Sequence, residues 1–235
     1  MTSDVPSRSR PEPWFHVARL VCLPPIKLWF TWRFEGLEHI PPVGPAILAC
    51  NHISYLDPLG NAYAALKAGR RPRFLAKDDL FEIPVVGTVL RGSHQIPVNR
   101  RNGQRASLSD GVAALRRGEL VVIYPEGTVT TRDDWMPMEA KTGMVRLALD
   151  SGAPIVPMAS WGSQDVWQKS GRGSLKFGRP VWVKAGPSID LRGREEARED
   201  REALRALTDE VMVEVADLVR GLRDRYPARW APRPR

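Results

Sequence analysis

The alternation of apolar and polar positions predicts an α/β fold for most of the chain. From residue 45 onwards, short apolar runs bounded by proline, glycine or charge are typical of buried strands. These runs are Ala46–Cys50, Arg73–Ala76, Gln95–Val98, Leu120–Tyr124, Ile155–Ser160 and Val181–Ala185. Helix candidates separate them, at Pro58–Ala68, Ile83–Arg91, Gln104–Arg117 and Thr142–Ser151. Strands that alternate with helices predict a mixed, mostly parallel sheet flanked by helices.

Two further regions flank this predicted sheet. The segment Asp190–Arg201 is rich in charged residues and is predicted to be a charged linker. After it, apolar residues at helical spacing predict one long amphipathic helix: Leu204, Leu207, Val211, Val215, Leu218 and Leu222. We therefore divide the chain into an N-terminal segment (1–34), a central domain (35–190) and a C-terminal region (191–235) that holds the linker, the helix and a basic tail.

The N-terminal segment is aromatic and contains two consecutive prolines. Residues 1–13 predict a disordered leader, and residues 14–32 read WFHVARLVCLPPIKLWFTW. Because prolines break helices, we expect two short helices, at about 14–23 and 26–34. Tryptophan prefers the headgroup region of a bilayer, so the segment favours an N-terminal membrane-interfacial helical pair. The alternative is a helical pair packed on the protein's own core. The two interpretations are compatible with each other. No apolar run reaches the roughly 20 residues that a membrane-spanning helix needs.

The net charge of +8 is concentrated at the two ends of the chain. Residues 1–34 carry five basic and two acidic side chains, and residues 225–235 carry four arginines and no acid. The residues between them are close to neutral. A nucleic-acid-binding domain usually carries its basic stripe on the folded body, so this distribution fits a membrane surface better. A pair of frayed, soluble tails is the alternative. With only two cysteines, a disulfide scaffold and a cysteine-rich zinc site are excluded.

A histidine and an aspartate follow the first predicted strand of the central domain. His52 comes directly after Ala46–Cys50, and Asp57 precedes Pro58, which suits the first turn of a helix. The carboxylate can therefore fold back towards the imidazole. A carboxylate on one ring nitrogen fixes the tautomer and leaves the other nitrogen as a general base. In the alternative interpretation, Asp57 is a helix N-cap and His52 a strand-end residue without a chemical role.

Two more strand ends carry candidate binding groups. Pro125-Glu126-Gly127-Thr128 offers an acceptor, a closely approachable backbone and a donor, and Gly127 suits a turn with positive φ. Arg100 follows Gln95–Val98, where a guanidinium could hold a phosphate with two hydrogen bonds; Arg101 and Arg105 are near it in the sequence. If the segment Pro125-Glu126-Gly127-Thr128 stood alone, it would be interpreted as an ordinary turn. An isolated Arg100 would be interpreted as a surface residue.

Taken together and in this order, these elements resemble the glycerolipid acyltransferases, the 1-acyl-sn-glycerol-3-phosphate acyltransferase family. The first motif of that family, Asn-His-four residues-Asp, is complete as Asn51, His52 and Asp57. Its second motif ends in a phosphate-gripping arginine, matched by Arg100. Its third, Phe-Pro-Glu-Gly-Thr-Arg-Ser, is matched by Tyr124–Thr130, and its fourth by Ala153–Pro157. The resemblance covers roughly residues 33–190.

The match departs from the family pattern at two positions. Val129 stands where the third motif usually has arginine, so one phosphate contact is missing or is supplied by Arg132 or Lys141. Asn99 replaces a common aspartate beside Arg100. The valine at position 129 bears on which acceptor substrate is used more than on the acyl-transfer chemistry itself.

The resemblance implies transfer of a fatty acyl group to 1-acylglycerol-3-phosphate, giving phosphatidic acid in phospholipid biosynthesis. The donor would be a thioester, acyl-CoA or an acyl carrier protein, and no metal or cofactor is implied. His52 would be the general base and Asp57 would orient it, with Arg100 on the phosphate. The implied substrate-binding residues also include Asn51, Lys77, Glu126, Gly127, Thr128 and Lys141. The implied partners are the acyl donor and a membrane surface that carries the lysophospholipid; no nucleic acid is implied. The implied location is the cytoplasmic face of the cell membrane, where the protein would be peripheral or monotopic.

Three alternatives remain open at this point. The acceptor could be another lysophospholipid, glycerol-3-phosphate or a glycolipid, which the valine at position 129 makes reasonable. A covalent mechanism through Cys50 is geometrically conceivable, because Cys50 and His52 share a face of an extended strand. A non-catalytic lipid-binding protein on the same fold is the third, although it would have no chemical need for His52, Asp57 and Glu126.

Overall fold

A seven-stranded sheet forms the centre of the protein in the computed structural model, which describes residues 12–98 and 104–232. Its strands are β1 (Phe30–Glu35), β2 (Ala46–Cys50), β3 (Pro72–Lys77), β4 (Ile96–Val98), β5 (Leu120–Ile123), β6 (Ile155–Trp161) and β7 (Arg179–Ala185). The spatial order is β1-β7-β6-β2-β5-β3-β4. All neighbouring strands are parallel except β6 and β7, which are antiparallel. The predicted mixed, mostly parallel sheet is confirmed.

Seven α-helices accompany the sheet within the described residues. They are α1 (Pro13–Trp29), α2 (Asp57–Lys67), α3 (Asp79–Glu82), α4 (Pro84–Gly92), α5 (Gln104–Arg116), α6 (Gly143–Ser151) and α7 (Arg201–Arg225). Every strand and helix predicted in the central domain is present, with ends shifted by no more than two residues. The short helix α3 and the strand β1 were not predicted.

The two faces of the sheet are covered by different helices, and β2 shows how the sequence achieves this. Successive strand residues point to opposite faces. Ile47 and Ala49 pack in a core shared with α5, α6 and α7. Leu48 and Cys50 pack in a second core with Ala64 and Ala65 of α2. Because β2 is buried on both sides, it is apolar throughout rather than alternating.

The predicted break at the double proline is wrong, because α1 runs through Pro24 and Pro25 as one helix. A proline in a helix deprives the carbonyl four residues earlier of its hydrogen bond. Those carbonyls belong to Leu20 and Val21, whose side chains are 73% and 66% exposed. The unpaired carbonyls therefore lie on the outer side of α1 and not in the core, which lowers the cost of continuing the helix.

The second helix predicted at 26–34 is also wrong, because residues 30–35 form strand β1. This strand pairs in parallel with β7, from Phe30 opposite Arg179 to Glu35 opposite Lys184. Its sequence, FTWRFE, alternates between aromatic and polar residues, which is the period of a strand. The end of the predicted N-terminal segment thus joins the sheet, while the three-part division of the chain stays a prediction.

Packing and hydrogen bonds fix the start of the first helix, α1, and the segment that leads into the last helix, α7. Glu12, 4% exposed, accepts two hydrogen bonds from the buried guanidinium of Arg73, at 2.8 and 2.5 Å, which holds the start of α1. The segment predicted as a charged linker packs on the core through Leu191 and Ala197. Asp200 then caps α7 by accepting hydrogen bonds from two backbone amides. Within the described residues, no helix combines the length and apolar character needed to cross a bilayer.

Candidate active site

The first predicted motif forms a hydrogen-bonded pair at the carboxyl end of β2. His52 Nδ1 lies 3.0 Å from Oδ2 of Asp57, which is the first residue of α2 and precedes Pro58. The Asp57 side chain is buried, whereas 12% of the His52 side chain remains accessible. A carboxylate at Nδ1 favours the tautomer with the proton on that nitrogen, so Nε2 is the ring nitrogen able to accept a proton.

The carboxylate of Asp57 is held by three further donors. Its Oδ2 accepts from the backbone amides of Ile53 at 2.7 Å and Ser54 at 2.8 Å, and its Oδ1 accepts from Ser163 Oγ at 2.6 Å. The two amides precede α2, so Asp57 folds back over the turn and does not cap the helix. The N-cap alternative is therefore excluded, and the turn between β2 and α2 fixes the direction of the carboxylate towards His52.

Tyr124 supports the other side of the imidazole. Its ring stacks on His52 with 4.1 Å between centroids and 22° between planes. Its hydroxyl accepts a hydrogen bond from Asn61 Nδ2 at 3.0 Å, and Asn61 Oδ1 accepts from Ser160 Oγ at 3.0 Å. Burial raises the pKa of the Tyr124 phenol well above its usual value. His52 therefore lies between a fixed carboxylate and a fixed ring.

Two residues predicted to bind substrate, Asn51 and Glu126, form hydrogen bonds with backbone groups. Asn51 is fully buried; its Nδ2 donates to the Ser160 carbonyl at 3.1 Å and its Oδ1 accepts from the Ser160 amide at 2.7 Å. Glu126, 6% exposed, accepts from the amides of His52 at 3.0 Å and Met138 at 2.8 Å. The side chains of Asn51 and Glu126 do not line the cavity described below. The structure gives them positioning roles, because each fixes backbone at or beside His52.

The buried Glu126 also has a shifted pKa. Burial raises the pKa of Glu126 to about 7, although the hydrogen bonds from Met138 and His52 act in the opposite direction. The His52 carbonyl is held as well, accepting from the Thr130 amide at 2.7 Å. The backbone at His52 is thus tied on both sides to the segment that follows β5.

A cavity of about 870 Å³ begins at His52 and extends between the helices. The predicted residues that line it are His52, Lys77, Gly127, Thr128 and Lys141. Gly127 has φ of +74°, as its place in the turn predicted, and a Cβ there would lie 3.4 Å from Lys141 Nζ. The Lys77 ammonium is paired with Asp79. Among the residues that the structure describes, Lys141 has no carboxylate partner.

The rest of the cavity wall is largely apolar and comes from several elements. Contributing side chains include Phe15, Cys22 and Ile26 of α1, Leu59 and Tyr63 of α2, Leu80 of α3 and Val89 of α4. One face of α1 thus lines the cavity, while Leu20, Val21 and Leu28 on the remaining surface are 66–75% exposed. This helix is therefore packed on the protein and apolar on its outer surface at the same time; its place in a membrane interface stays a prediction.

The residues expected to bind phosphate differ in whether they lie at the cavity. Arg100, together with Asn99 and Arg101, lies outside the described residues. Val129 is 1% exposed and lines the cavity, so an apolar side chain occupies the place of the family arginine. Arg132 does not line the cavity and is paired with Asp134, at 2.9 and 2.7 Å. Of the two substitutes predicted for the missing arginine, only Lys141 lies at the cavity.

Cys50 does not have the surroundings of a nucleophile. It is 1% exposed, belongs to the core beneath α2 and does not line the cavity. Burial raises the pKa of the Cys50 thiol well above its usual value, with a further contribution from Asp57. Since the thiolate is the nucleophilic form, these surroundings disfavour the covalent alternative.

Sequence reasoning missed Ser163 and Asn61, and treated Tyr124 only as a motif residue. Ser163 lies 106 residues from Asp57 in the sequence, and no local pattern connects them. Asn61 did carry a signal, because it lies four residues after Asp57 on the same face of α2, where a buried amide needs polar partners.

Comparisons with known proteins agree with this geometry. The acyltransferase family model matches residues 31–161. A 1-acyl-sn-glycerol-3-phosphate acyltransferase of Bacillus subtilis is 32% identical over 149 residues, which cover 61% of this chain and 70% of that protein. A chloroplastic 1-acyl-sn-glycerol-3-phosphate acyltransferase of Arabidopsis thaliana is 28% identical over 169 residues, covering 70% of this chain but 46% of its own length.

A solved structure shares the fold. The 1-acyl-sn-glycerophosphate acyltransferase PlsC from Thermotoga maritima superposes with a TM-score of 0.65 at 24% identity, covering 92% of this chain and 79% of that one. The α/β fold of this chain is thus shared with a solved acyltransferase structure. The chain belongs to the acyltransferase family, as the match of its model over more than half of the residues shows.

Proposed function

We propose that this protein transfers a fatty acyl group from a thioester to the free hydroxyl of a 1-acylglycerol-3-phosphate, forming phosphatidic acid. The observation that carries the proposal is the His52–Asp57 pair, 3.0 Å apart, at one end of a largely apolar cavity of about 870 Å³. An acyl chain needs such a cavity, and a hydroxyl nucleophile needs such a base. The names of the curated relatives in Bacillus and Arabidopsis support the same reaction.

The proton follows a simple route in this mechanism. Nε2 of His52 takes the proton of the acceptor hydroxyl as its oxygen attacks the thioester carbonyl. The tetrahedral intermediate collapses to the new ester, the carbon–sulfur bond breaks, and the departing thiolate takes the proton back from His52. Asp57 stabilises the imidazolium formed in between, as the carboxylate of a Ser-His-Asp triad does, while the substrate hydroxyl takes the place of the serine. No acyl-enzyme, metal or further cofactor is required.

The two ends of the cavity suit the two ends of the acceptor. The wall formed by α1, α2 and α4 accepts acyl chain, whereas Thr128 and Lys141 lie at the polar end beside His52. We assign the acceptor phosphate to Lys141, together with Arg100, which follows β4 in the sequence. Lys77 is a weaker candidate because Asp79 already neutralises it. Either acyl-CoA or an acyl carrier protein can supply the thioester.

A second acceptor is favoured by one observation. Val129 presents an apolar surface to the cavity where the family motif has an arginine. An acceptor with a smaller or differently placed charge, such as another lysophospholipid or a glycolipid, would tolerate this change.

We further propose that the protein acts at the cytoplasmic surface of the membrane. The outer surface of α1 carries Leu20, Val21 and Leu28, which are 73%, 66% and 75% exposed, and Arg19 and Lys27 belong to the same helix. This combination is typical of a helix lying in the interface of a bilayer. It would place the helix that walls the cavity next to the lipid from which the acceptor comes.

The test is product analysis with the purified full chain. Lysophosphatidic acid, lysophosphatidylglycerol, glycerol-3-phosphate and a glycolipid are each offered with acyl-CoA and acyl carrier protein thioesters. Phosphatidic acid should be the main product, and His52→Ala should reduce its formation by about 10²–10⁴-fold, which is the usual contribution of a positioned base. A product from another acceptor alone would replace the proposed substrate. Turnover with none of them, or more than about a tenth of the activity left in His52→Ala, would reject the mechanism.

A further inference from the structure

The loop between β6 and β7, residues 162–178, presents large apolar side chains to solvent. Trp167, Leu175 and Phe177 are 56%, 66% and 69% exposed. Single exposed apolar residues are common on soluble proteins, but a group of them on one segment marks a binding surface. These three side chains have no part in the proposed chemistry, because they do not line the cavity.

The exposed side chains of this loop join the end of α1 to the edge of the active site. The Trp29 ring packs edge-on against Phe177 with 5.6 Å between centroids, and its Nε1 donates to the Leu175 carbonyl at 3.0 Å. At the other end of the loop, Trp167 packs against Tyr55, a cavity-lining residue, with 5.5 Å between centroids. The exposed apolar side chains of the loop therefore contact α1 at one end and the cavity wall at the other.

Hydrogen bonds hold the loop in this conformation. Ser163 Oγ donates to Asp57, the Trp167 carbonyl accepts from the Tyr55 amide at 3.0 Å, and the Ser174 amide donates to the Asp165 carbonyl at 2.8 Å. Val166 is buried in the core beside Leu56. The outward direction of Trp167, Leu175 and Phe177 is thus fixed by the fold, and a surface fixed beforehand loses little conformational entropy when it docks.

The charge of the loop indicates what it docks on. Lys169, Arg172 and Lys176 are exposed and have no carboxylate partner in the described part of the chain. The acid of the loop, Asp165, is paired with the buried Arg179 at 3.0 Å. Aromatic side chains beside unpaired cations match the interface of an anionic bilayer, where rings enter the headgroup layer and cations meet phosphates.

We infer that the β6–β7 loop docks on an anionic lipid surface, with Trp167, Leu175 and Phe177 in the interface and the three cations on the headgroups. This contact is made by a different segment of the chain from α1. It brings the cavity next to the bilayer, and in that respect the inference rests on the proposed function.

Vesicle flotation with the full chain tests the inference. The variant Leu175→Ser/Phe177→Ser is compared with Val43→Ser/Val213→Ser, a matched pair of large apolar residues that are 80% and 55% exposed elsewhere on the protein. Vesicles contain phosphatidylcholine with or without phosphatidylglycerol. We expect the loop variant to bind the anionic vesicles at least about tenfold more weakly, because two large apolar side chains no longer enter the lipid interface, and the matched pair to bind like wild type. Lys169→Glu/Lys176→Glu should lose the preference for phosphatidylglycerol.

The outcomes separate the inference from its alternatives. Unchanged vesicle affinity of the loop variant, or an equal loss in the matched pair, would overturn it. Unchanged vesicle affinity with a loss of activity towards an acyl carrier protein thioester would overturn it in favour of a protein partner. Acyl transfer in detergent micelles should be unaffected in the loop variant. If wild type transfers no acyl group while the loop variant loses vesicle affinity, the proposed function fails and the loop assignment stands.

Discussion

Ser163 Oγ lies 2.6 Å from Oδ1 of Asp57, so the loop after β6 reaches the carboxylate that orients His52. The other oxygen of Asp57 is shared by His52 and two backbone amides of its own turn. Ser163 is thus the one side chain from a distant part of the described structure that bonds this carboxylate. It links the His52–Asp57 pair to the end of β6 as well as to β2.

Ser163→Ala should lower kcat by about tenfold, because a hydrogen bond to a charged group contributes about 1.5–3 kcal/mol. The acceptor KM should change little, since Ser163 does not line the cavity. Steady-state kinetics of phosphatidic acid formation measures both constants. Ser170→Ala, an exposed serine of the same loop, is the control. A kcat equal to that of the control would show that Asp57 is adequately held without Ser163.

Tyr124→Phe should separate the ring of this residue from its hydroxyl. The phenyl ring keeps the stacking on His52, whereas Asn61 Nδ2 loses its acceptor, which costs about 1–3 kcal/mol when a buried group is left unsatisfied. We therefore expect a lower free energy of unfolding in urea with activity close to that of wild type. Tyr124→Ala should lose activity as well, because the imidazole loses its support. Equal activity losses in both variants would instead give the hydroxyl a part in the chemistry.

The His52–Asp57 pair could be predicted because its information is local. Five residues separate the two, a strand ends at Cys50, and Pro58 marks the start of a helix. Ser160 belongs to β6 and Ser163 to the loop that follows it, more than a hundred residues away, and only the assembled sheet brings them to Asn51 and Asp57. Asn51 and Glu126 were found as motif residues, but their hydrogen bonds to the backbone were not predicted, because a sequence does not show that a polar side chain is used by a backbone amide.

The N-terminal error has a different cause. The rule that prolines break helices assumes that the unpaired carbonyls are costly, and on the exposed side of α1 they are not. The strand β1 was hidden because its aromatic residues continue the composition of the helix before it. Its alternation, Phe30-Thr31-Trp32-Arg33-Phe34, was present in the sequence but was given less weight than the aromatic content.

Glu126 should make stability depend on pH near neutrality. Burial raises its pKa from 4.5 to about 7, so between these values the folded state binds more protons than the unfolded state. Stability therefore falls as pH rises from about 4.5 to about 7, by up to about 3 kcal/mol from this group. Glu126→Gln cannot ionise and should lose that part of the dependence. Urea denaturation between pH 4.5 and 8 measures it.

The control for this prediction is Glu202→Gln, an exposed glutamate of α7 without an ion pair in the described part of the chain. It should retain the wild-type pH profile. Since a glutamine side chain offers only one acceptor oxygen to the amides of His52 and Met138, the Glu126→Gln protein should be less stable at the acidic end. A pH profile identical to that of wild type would mean that Glu126 stays ionised across the range.

Lys141→Ala should weaken binding of the acceptor phosphate without impairing the chemical step. Lys141 lines the polar end of the cavity, its Nζ would lie 3.4 Å from a Cβ at Gly127, and Val129 leaves it without help from the third motif. A phosphate held by one ammonium fewer should raise the KM for lysophosphatidic acid about tenfold, which corresponds to about 1.4 kcal/mol, within the range of charge-assisted hydrogen bonds. Because kcat depends on His52, it should stay within a few fold.

The matched comparison is a monoacylglycerol acceptor, which lacks the phosphate: its KM should be the same in both proteins. An equal rise for both acceptors would show that Lys141 shapes the cavity and does not bind the phosphate.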